Sequence, residues 1–183
     1  KDDVPKHGDL KALLDAARDG NVKSRYQKLE KLLDMDKFVS YLVLEVITCD
    51  WDGYPRNRNN YRIYHEPKTN KLTFIPSGMD QMFNEPNGSI FPDFQGFIAR
   101  AFMETPEGRA RYLNRMDEIM KKHYKTDERI KRLDDLQRIV QPALASVDAG
   151  AGRDFPNQVN RLREAIRQRE KSVQQQLKQT LKK

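Results

Sequence analysis

Cysteine is all but missing from this sequence. The single Cys49 cannot close an internal disulfide, nor can it build a cysteine-rich zinc site. No stretch approaches the roughly 18 consecutive apolar residues that mark a membrane-spanning helix, and no cleavable signal pattern opens the chain. Histidine is scarce as well. His7, His65 and His123 fall in separate segments without metal-ligand spacing, which argues against zinc and leaves a serine-histidine-aspartate triad without a local signature. Also absent are a glycine-rich phosphate loop, a P-loop pattern and a strand lysine placed to pair with a helix glutamate. There is no internal repeat or low-complexity segment. The first residue is Lys1 rather than Met, so a processed product or a piece of a longer protein is expected.

What is present suits a single domain, residues 1–183, with a thin core. Hydrophobic residues make up 37% and charged residues 33%, with a mean hydropathy of -0.89, polar for a globular protein yet short of the depletion that disorder requires. The net charge of +7 is unevenly placed: residues 156–183 hold eight Lys/Arg against Glu164 and Glu170, leaving residues 1–155 near neutral. A basic terminal helix over about 156–183 can meet nucleic acid or an anionic surface, but a solvated face is the commoner outcome. That helix also lacks aromatic side chains on which bases would stack.

The hydrophobic pattern predicts a mainly α fold with one short β-hairpin. Asp9 is placed to cap a helix bearing Leu10, Leu13, Leu14 and Ala17, and a second short helix carries Tyr26, Leu29, Leu32 and Leu33. After Asp36 as the next cap, Phe38 to Cys49 is apolar on nearly every side, which predicts a helix buried in the middle of the domain. Asp50 to Asn60 has the texture of a loop. Tyr61 and Ile63, then Leu72 and Phe74, alternate with polar partners around a five-residue turn, Pro67 to Lys71, and so predict the hairpin. Pro76-Ser77-Gly78 stops its second strand and delivers Met79-Asp80 just beyond; Gln81 to Pro92 is irregular. Helices follow: one marked by Phe94, Phe97, Ile98, Ala101 and Phe102; one capped by Thr105 with Pro106 at its first position; one with Ile130, Leu133, Leu136 and Val140; and a last one started by Asp154 and Pro156.

Chemistry concentrates between Ile47 and Phe83, where a buried helix leads into an acidic, asparagine-rich loop, a hairpin and an isolated aspartate. That order suits phosphoryl transfer. The reaction needs a carboxylate to orient an acceptor hydroxyl and take its proton, and hard oxygen ligands to hold Mg²⁺ on the phosphates. Asp52, the cluster Asn57, Asn59 and Asn60, and Asp80 occur in the order a protein kinase uses. Read without context, Asp50 and Asp52 are turn formers, and so is Asp80 after Gly78. Trp51 and Tyr54 are read as packing the loop onto the core, and Arg56, Arg58 and Arg62 as solvated.

At these residues the chain resembles the CotH kinase family, the relatives of spore-coat protein H. The matching pieces are CDWDGY, then Asn59-Asn60-Tyr61 with Tyr64, then Phe74-Ile75-Pro76 leading to Asp80. The segments LEKLLDMDKFVSYLVLEV and VNRLREAIRQREKSVQQQL look like the family's lead-in and closing helices, so the resemblance covers nearly the whole chain. It implies the helical C-lobe of an atypical protein kinase that uses ATP and Mg²⁺ to phosphorylate Ser/Thr hydroxyls of a protein substrate. It implies Asp52 as the catalytic-loop aspartate and Asn60 and Asp80 as metal ligands, with Asn57 and Asn59 near the cofactor. Two departures stand out. Ser77-Gly78 replaces the family's Trp-Asp, and a loop about two residues longer makes Asn57 a competitor of Asn60 for the metal. The N-lobe of the same parent chain is the implied partner, and an extracellular, cell-surface or spore-coat location the implied setting. The 183 residues alone are accordingly expected to bind nucleotide weakly and transfer little phosphate. Two other readings remain open: a catalytically inactive kinase-like module for binding or coat assembly, and a nucleic-acid-binding helical domain.

Overall fold

The computed structural model describes residues 7–182. Among them, eight helices accompany one two-stranded hairpin, in the order α1 (Gly8–Ala17), α2 (Val22–Leu32), α3 (Met35–Ile47), α4 (Tyr54–Asn57), β1 (Tyr61–Glu66), β2 (Lys71–Pro76), α5 (Phe97–Met103), α6 (Pro106–Lys122), α7 (Thr126–Val147) and α8 (Ala149–Thr180). This is the mainly α class with one short hairpin. Within the span read above as one domain, the chain divides into two compact units: residues 1–82 with 91–117, and residues 83–90 with 118–183.

The first unit is organised by α3. Nine of its thirteen residues are buried, because a helix apolar on nearly every side has almost no face to give to water. Phe38, fully buried, sets its ring 5.0 Å from that of Phe74 on β2 and edge-on to Phe102 of α5 at 5.7 Å. The hairpin pairs Ile63 with Phe74 and His65 with Leu72, so Leu72 and Phe74 point to the core. Its turn is four residues, Pro67 to Asn70, one shorter than expected, since Asn70 adopts a left-handed φ of 54° and lets Lys71 open the strand. The junction of α2 and α3 docks on β2 directly, the Asp34 N–H donating to the Leu72 carbonyl at 2.9 Å.

Two caps shift from their sequence-based places. Asp34, not Asp36, caps α3 by accepting from the Lys37 N–H at 3.3 Å, which frees Asp36 to receive Arg111 of α6 at 2.7 Å. Asp9 lies inside the first turn of α1, where it favours the positive end of the helix dipole. Thr105 does cap α6: its hydroxyl, fully buried, accepts from the Gly108 N–H at 2.9 Å.

The second unit is an α7-α8 hairpin with the segment 83–90. Helix α8 begins at Ala149 under an Asp148 cap, seven residues before the Pro156 start expected from sequence. Proline can sit inside it because the Gly152 carbonyl, which loses its i+4 partner at Pro156, accepts from Gln141 Nε2 of α7 at 3.4 Å. Gly152 is required there, since a Cβ would lie 2.5 Å from that of Ala145. The basic character of residues 156–183 is partly consumed internally. Arg169 is fully buried and donates to the Gly88 carbonyl at 2.5 Å, and Arg163 Nε reaches Asp134 at 2.9 Å.

Truncating the ring at the centre of the first unit tests this account of the core. Phe38→Ala should cost about 3–5 kcal/mol of unfolding free energy, read as a lowered urea midpoint for the transition of that unit.

Candidate active site

Helix α3 ends at Ile47, and the chain reverses at Cys49, whose φ of 53° is left-handed. The turn places Asp50 in the interior, with its N–H bonded to the Glu45 carbonyl at 3.0 Å and its Oδ1 accepting from the Asp52 N–H at 3.2 Å. Asp50 is therefore a turn former, and a fully buried one. Gly53 opens the single turn of α4, with Pro55 in the first-turn position that suits it. Tyr54 anchors this loop on the core: its hydroxyl accepts from the Ile98 N–H at 2.8 Å and its ring lies 4.9 Å from Phe74. Left-handed Arg58 and Asn60 then bring the chain back into β1.

The result is a carboxylate held by amides. Asp52 accepts from Asn57 Nδ2 at 2.6 Å, from Asn60 Nδ2 at 2.8 Å, and from Asn59 Nδ2 at 3.2 and 3.3 Å. The Asn57 amide above all, then that of Asn59, holds the Asp52 carboxyl below the usual carboxylate range. Asp52 is thus an anion with fixed orientation at neutral pH. Both asparagines that competed as metal ligands in sequence turn their NH₂ groups toward this carboxylate.

The loop after the hairpin is brought to the same place. Asn60 Nδ2 also donates to the Gly78 carbonyl at 3.2 Å, and the Ser77 N–H donates to the Asn60 carbonyl at 3.0 Å. Gly78 has a left-handed φ of 63°, and a Cβ there would stand 3.1 Å from the Asn60 side chain. This backbone conformation and this close approach favour glycine at position 78. Asp80, two residues on, is exposed; its Oδ2 accepts from Gln81 Nε2 at 3.0 Å, and Gln81 Oε1 in turn accepts from the Trp51 indole at 3.4 Å. Trp51 is 43% exposed, so of the two aromatics read as packing residues only Tyr54 is one.

Carboxylate and amide oxygens are the hard donors that suit Mg²⁺; here the asparagine NH₂ groups, not their oxygens, face Asp52, and the Asp80 carboxylate bonds to Gln81. Among the described residues no group of three or more His, Cys, Asp or Glu forms a ready-made cage. Mg²⁺ does not need one, because it keeps several waters and takes the rest of its oxygens from one or two carboxylates and the nucleotide phosphates. Asp80 makes its charge felt on buried Asp50, adding to the burial that pushes the Asp50 carboxyl up.

Sequence reasoning missed Glu45. It is the only charged residue between Phe38 and Cys49, and that isolation in an apolar helix was the available signal. It is 1% exposed; the Tyr41 phenol faces its carboxyl from the same helix and only partly offsets the burial, and among the described residues Asp50 Oδ2 is buried without a hydrogen-bond partner. Burial first, and the Asp50 charge second, push the Glu45 carboxyl up to about 8. The same burial raises the Tyr41 phenol.

The sequence profile described as CotH kinase protein matches residues 2–173. Invasin CotH3 of Rhizopus delemar is 36% identical over 69 residues, 35% of this chain, and Invasin CotH2 of the same organism is 31% identical over 78 residues, 42% of this chain. These alignments cover 12% and 13% of the two relatives' own lengths, so the matched part is a small share of either protein. No helix among the described residues is long and apolar enough to cross a membrane.

Two measurements probe the electrostatics. Removing the foremost amide with Asn57→Ala should raise the Asp52 pKa toward its ordinary value, as followed by carboxyl-carbon NMR titration. For Glu45 the folded state keeps its proton from the ordinary value of 4.5 up to about 8, while the unfolded chain ionises at the lower pH. The unfolded state therefore binds fewer protons in that window, and the group's contribution to stability, complete below 4.5, declines as pH rises and levels off above about 8. Glu45→Gln should flatten that part of the stability-pH curve in denaturant titrations.

Proposed function

Because the chain belongs to the CotH kinase family, we propose that it carries the helical catalytic lobe of an atypical protein kinase that transfers the γ-phosphoryl group of ATP to Ser/Thr hydroxyls of a protein substrate. The observation that supports this most directly is the fixed, ionised Asp52 at the meeting point of two loops, the second of which leads to Asp80. A kinase needs an oriented anion beside the acceptor hydroxyl and oxygen ligands within reach of the phosphates.

In this reading Asp52 receives the acceptor hydroxyl's proton as the new oxygen-phosphorus bond forms and the bond to the ADP leaving group breaks. Its three amide neighbours restrict it to one orientation, so little reorganisation accompanies the reaction. Asn60 and Asp80 would hold Mg²⁺, which when bound offsets the charge of the phosphate oxygens. Asn60 would do so through its carbonyl oxygen, since its NH₂ is engaged with Asp52 and Gly78. Asn57 and Asn59 set the position and charge of Asp52 and stand near the cofactor. The phosphate-gripping loop and strand lysine, which these 183 residues lack, would come from an N-lobe of the same parent chain.

An extracellular or cell-surface setting is part of the proposal, resting on relatives whose names call them invasins. The alternative of a nucleic-acid-binding helix draws less support, because Arg169 and Arg163 are engaged within their own unit.

The test is phosphoryl transfer by the parent protein, with radiolabelled ATP, Mg²⁺ and a Ser/Thr-rich acceptor. Asp52→Ala and Asp80→Ala should each lower the rate by about a hundredfold or more, with unchanged far-ultraviolet circular dichroism. Full activity in either variant removes this mechanism, and an absence of Mg²⁺-dependent ATP binding by the parent favours the inactive-module reading instead.

A further inference from the structure

Beneath the loop that carries Asp52 lies a buried carboxyl group with no cationic partner among the described residues. Glu45 projects from the last turns of α3 toward Gly53, where a Cβ would fall 1.9 Å from Oε2, so a side chain at position 53 would have to displace the carboxyl. Asp50 sits on the same ground. Its N–H is bonded to the Glu45 carbonyl, its Oδ1 takes the Asp52 N–H, and its Oδ2 is buried without a partner. A short path thus runs from Glu45 through Asp50 to the backbone of Asp52.

Two adjacent buried carboxyls cannot both carry charge without a cation, since each pays a large desolvation penalty and repels the other. The groups around Glu45 supply no such cation as a partner. Tyr41, one turn back on α3, offers a neutral phenol; Asp50 faces it from the loop, with Asp52 and Asp80 adding negative charge and Arg56 opposing it at Asp50. The groove between α3 and β2 that Glu45 also lines, about 390 Å³, has Asp36, Lys37 and Arg115 among its walls. Lys37 is paired with Asp34 at 2.8 Å and Arg115 donates to Ser40 at 2.9 Å.

We propose that Glu45 is a positioning residue for Asp52: its neutral carboxyl is the floor on which the Asp50 to Gly53 turn rests, and ionisation of that carboxyl displaces the turn. The inference rests on the reading of Asp52 as proton acceptor for its catalytic meaning, but the coupling of floor to turn stands apart from it, on the contact of buried Oε2 with Gly53. An ionised Glu45 seeks water, and the turn at Gly53 lies directly on its Oε2. Glu45 touches no reacting atom; it acts through Asp50 and Gly53.

Trp51, the only tryptophan of the chain, lies inside this turn and reports on it without any catalysis. In the 183-residue chain, its fluorescence should show one transition with a midpoint near 8, the value to which Glu45 is pushed, and Glu45→Gln should abolish it. Retention in that variant would assign the transition to another group, neighbouring Cys49 included, and would overturn the proposal, as would a flat wild-type profile between about pH 6 and about pH 9.5. Asp50→Asn removes the charge that, after burial, raises Glu45 and should move the midpoint down; if Glu45→Gln does not fold, an unmoved midpoint in Asp50→Asn overturns the proposal. In the parent protein, transfer activity should fall above the same midpoint in the wild type and persist in Glu45→Gln. A fluorescence transition abolished by Glu45→Gln, in a parent that transfers no phosphate, would sink the kinase reading while leaving the floor and the turn as described.

Discussion

Burying α3 on nearly all sides dictates the path of everything around it in the first unit. A helix without a polar stripe must be covered by several elements, and here β2 and α5 supply the cover through Phe74 and Phe102 against Phe38. Its C-terminal end is the one place where the chain can leave, and the left-handed Cys49 turns that exit sharply into the loop of Asp50 to Asn60. The candidate site is therefore built on the end of a helix buried on nearly all sides. A site that must hold a carboxylate in one orientation gains from such a base.

The loop itself is a balance of two kinds of acid. Asp52 is kept ionised at the surface by three asparagine amides, whereas Glu45 and Asp50 are pushed toward the neutral form by burial beneath it. The separation is one of environment rather than residue type, and it is how a protein gives neighbouring carboxyls different roles. Gly53 and Gly78 permit the close approaches on the two sides of this arrangement, one over Glu45 and the other against Asn60. Each glycine marks a place where the backbone itself, not a side chain, fills the space.

The glycine at position 78 has a physical meaning in this setting. With φ at 63° and the Asn60 side chain 3.1 Å from where a Cβ would be, position 78 serves the junction between the two loops. The carboxylate that remains in this segment is that of Asp80, tied through Gln81 to Trp51 of the opposite loop. The asparagine cluster, read from sequence as ligand candidates, is divided by the structure: Asn57 and Asn59 bond to Asp52 alone, while Asn60 also spans to Gly78.

The order of elements, the all-round apolar helix, the hairpin and the Thr105-Pro106 helix start were legible in the residues, because period, turn chemistry and capping are local properties of the chain. So was the cluster of Asp52 with its asparagines, which are neighbours in sequence. What only the tertiary structure decided depends on contacts between distant residues. It moved the α8 start to Ala149, under the Asp148 cap, because Gln141 on the facing helix satisfies the carbonyl that Pro156 abandons. It left Trp51 exposed, it brought Gly78 against Asn60, and it made Glu45 a buried acid under Gly53. Spacing along the chain sets which residues share a face; only packing sets which of them lose their water, and that loss gives these carboxyls their different chemistry.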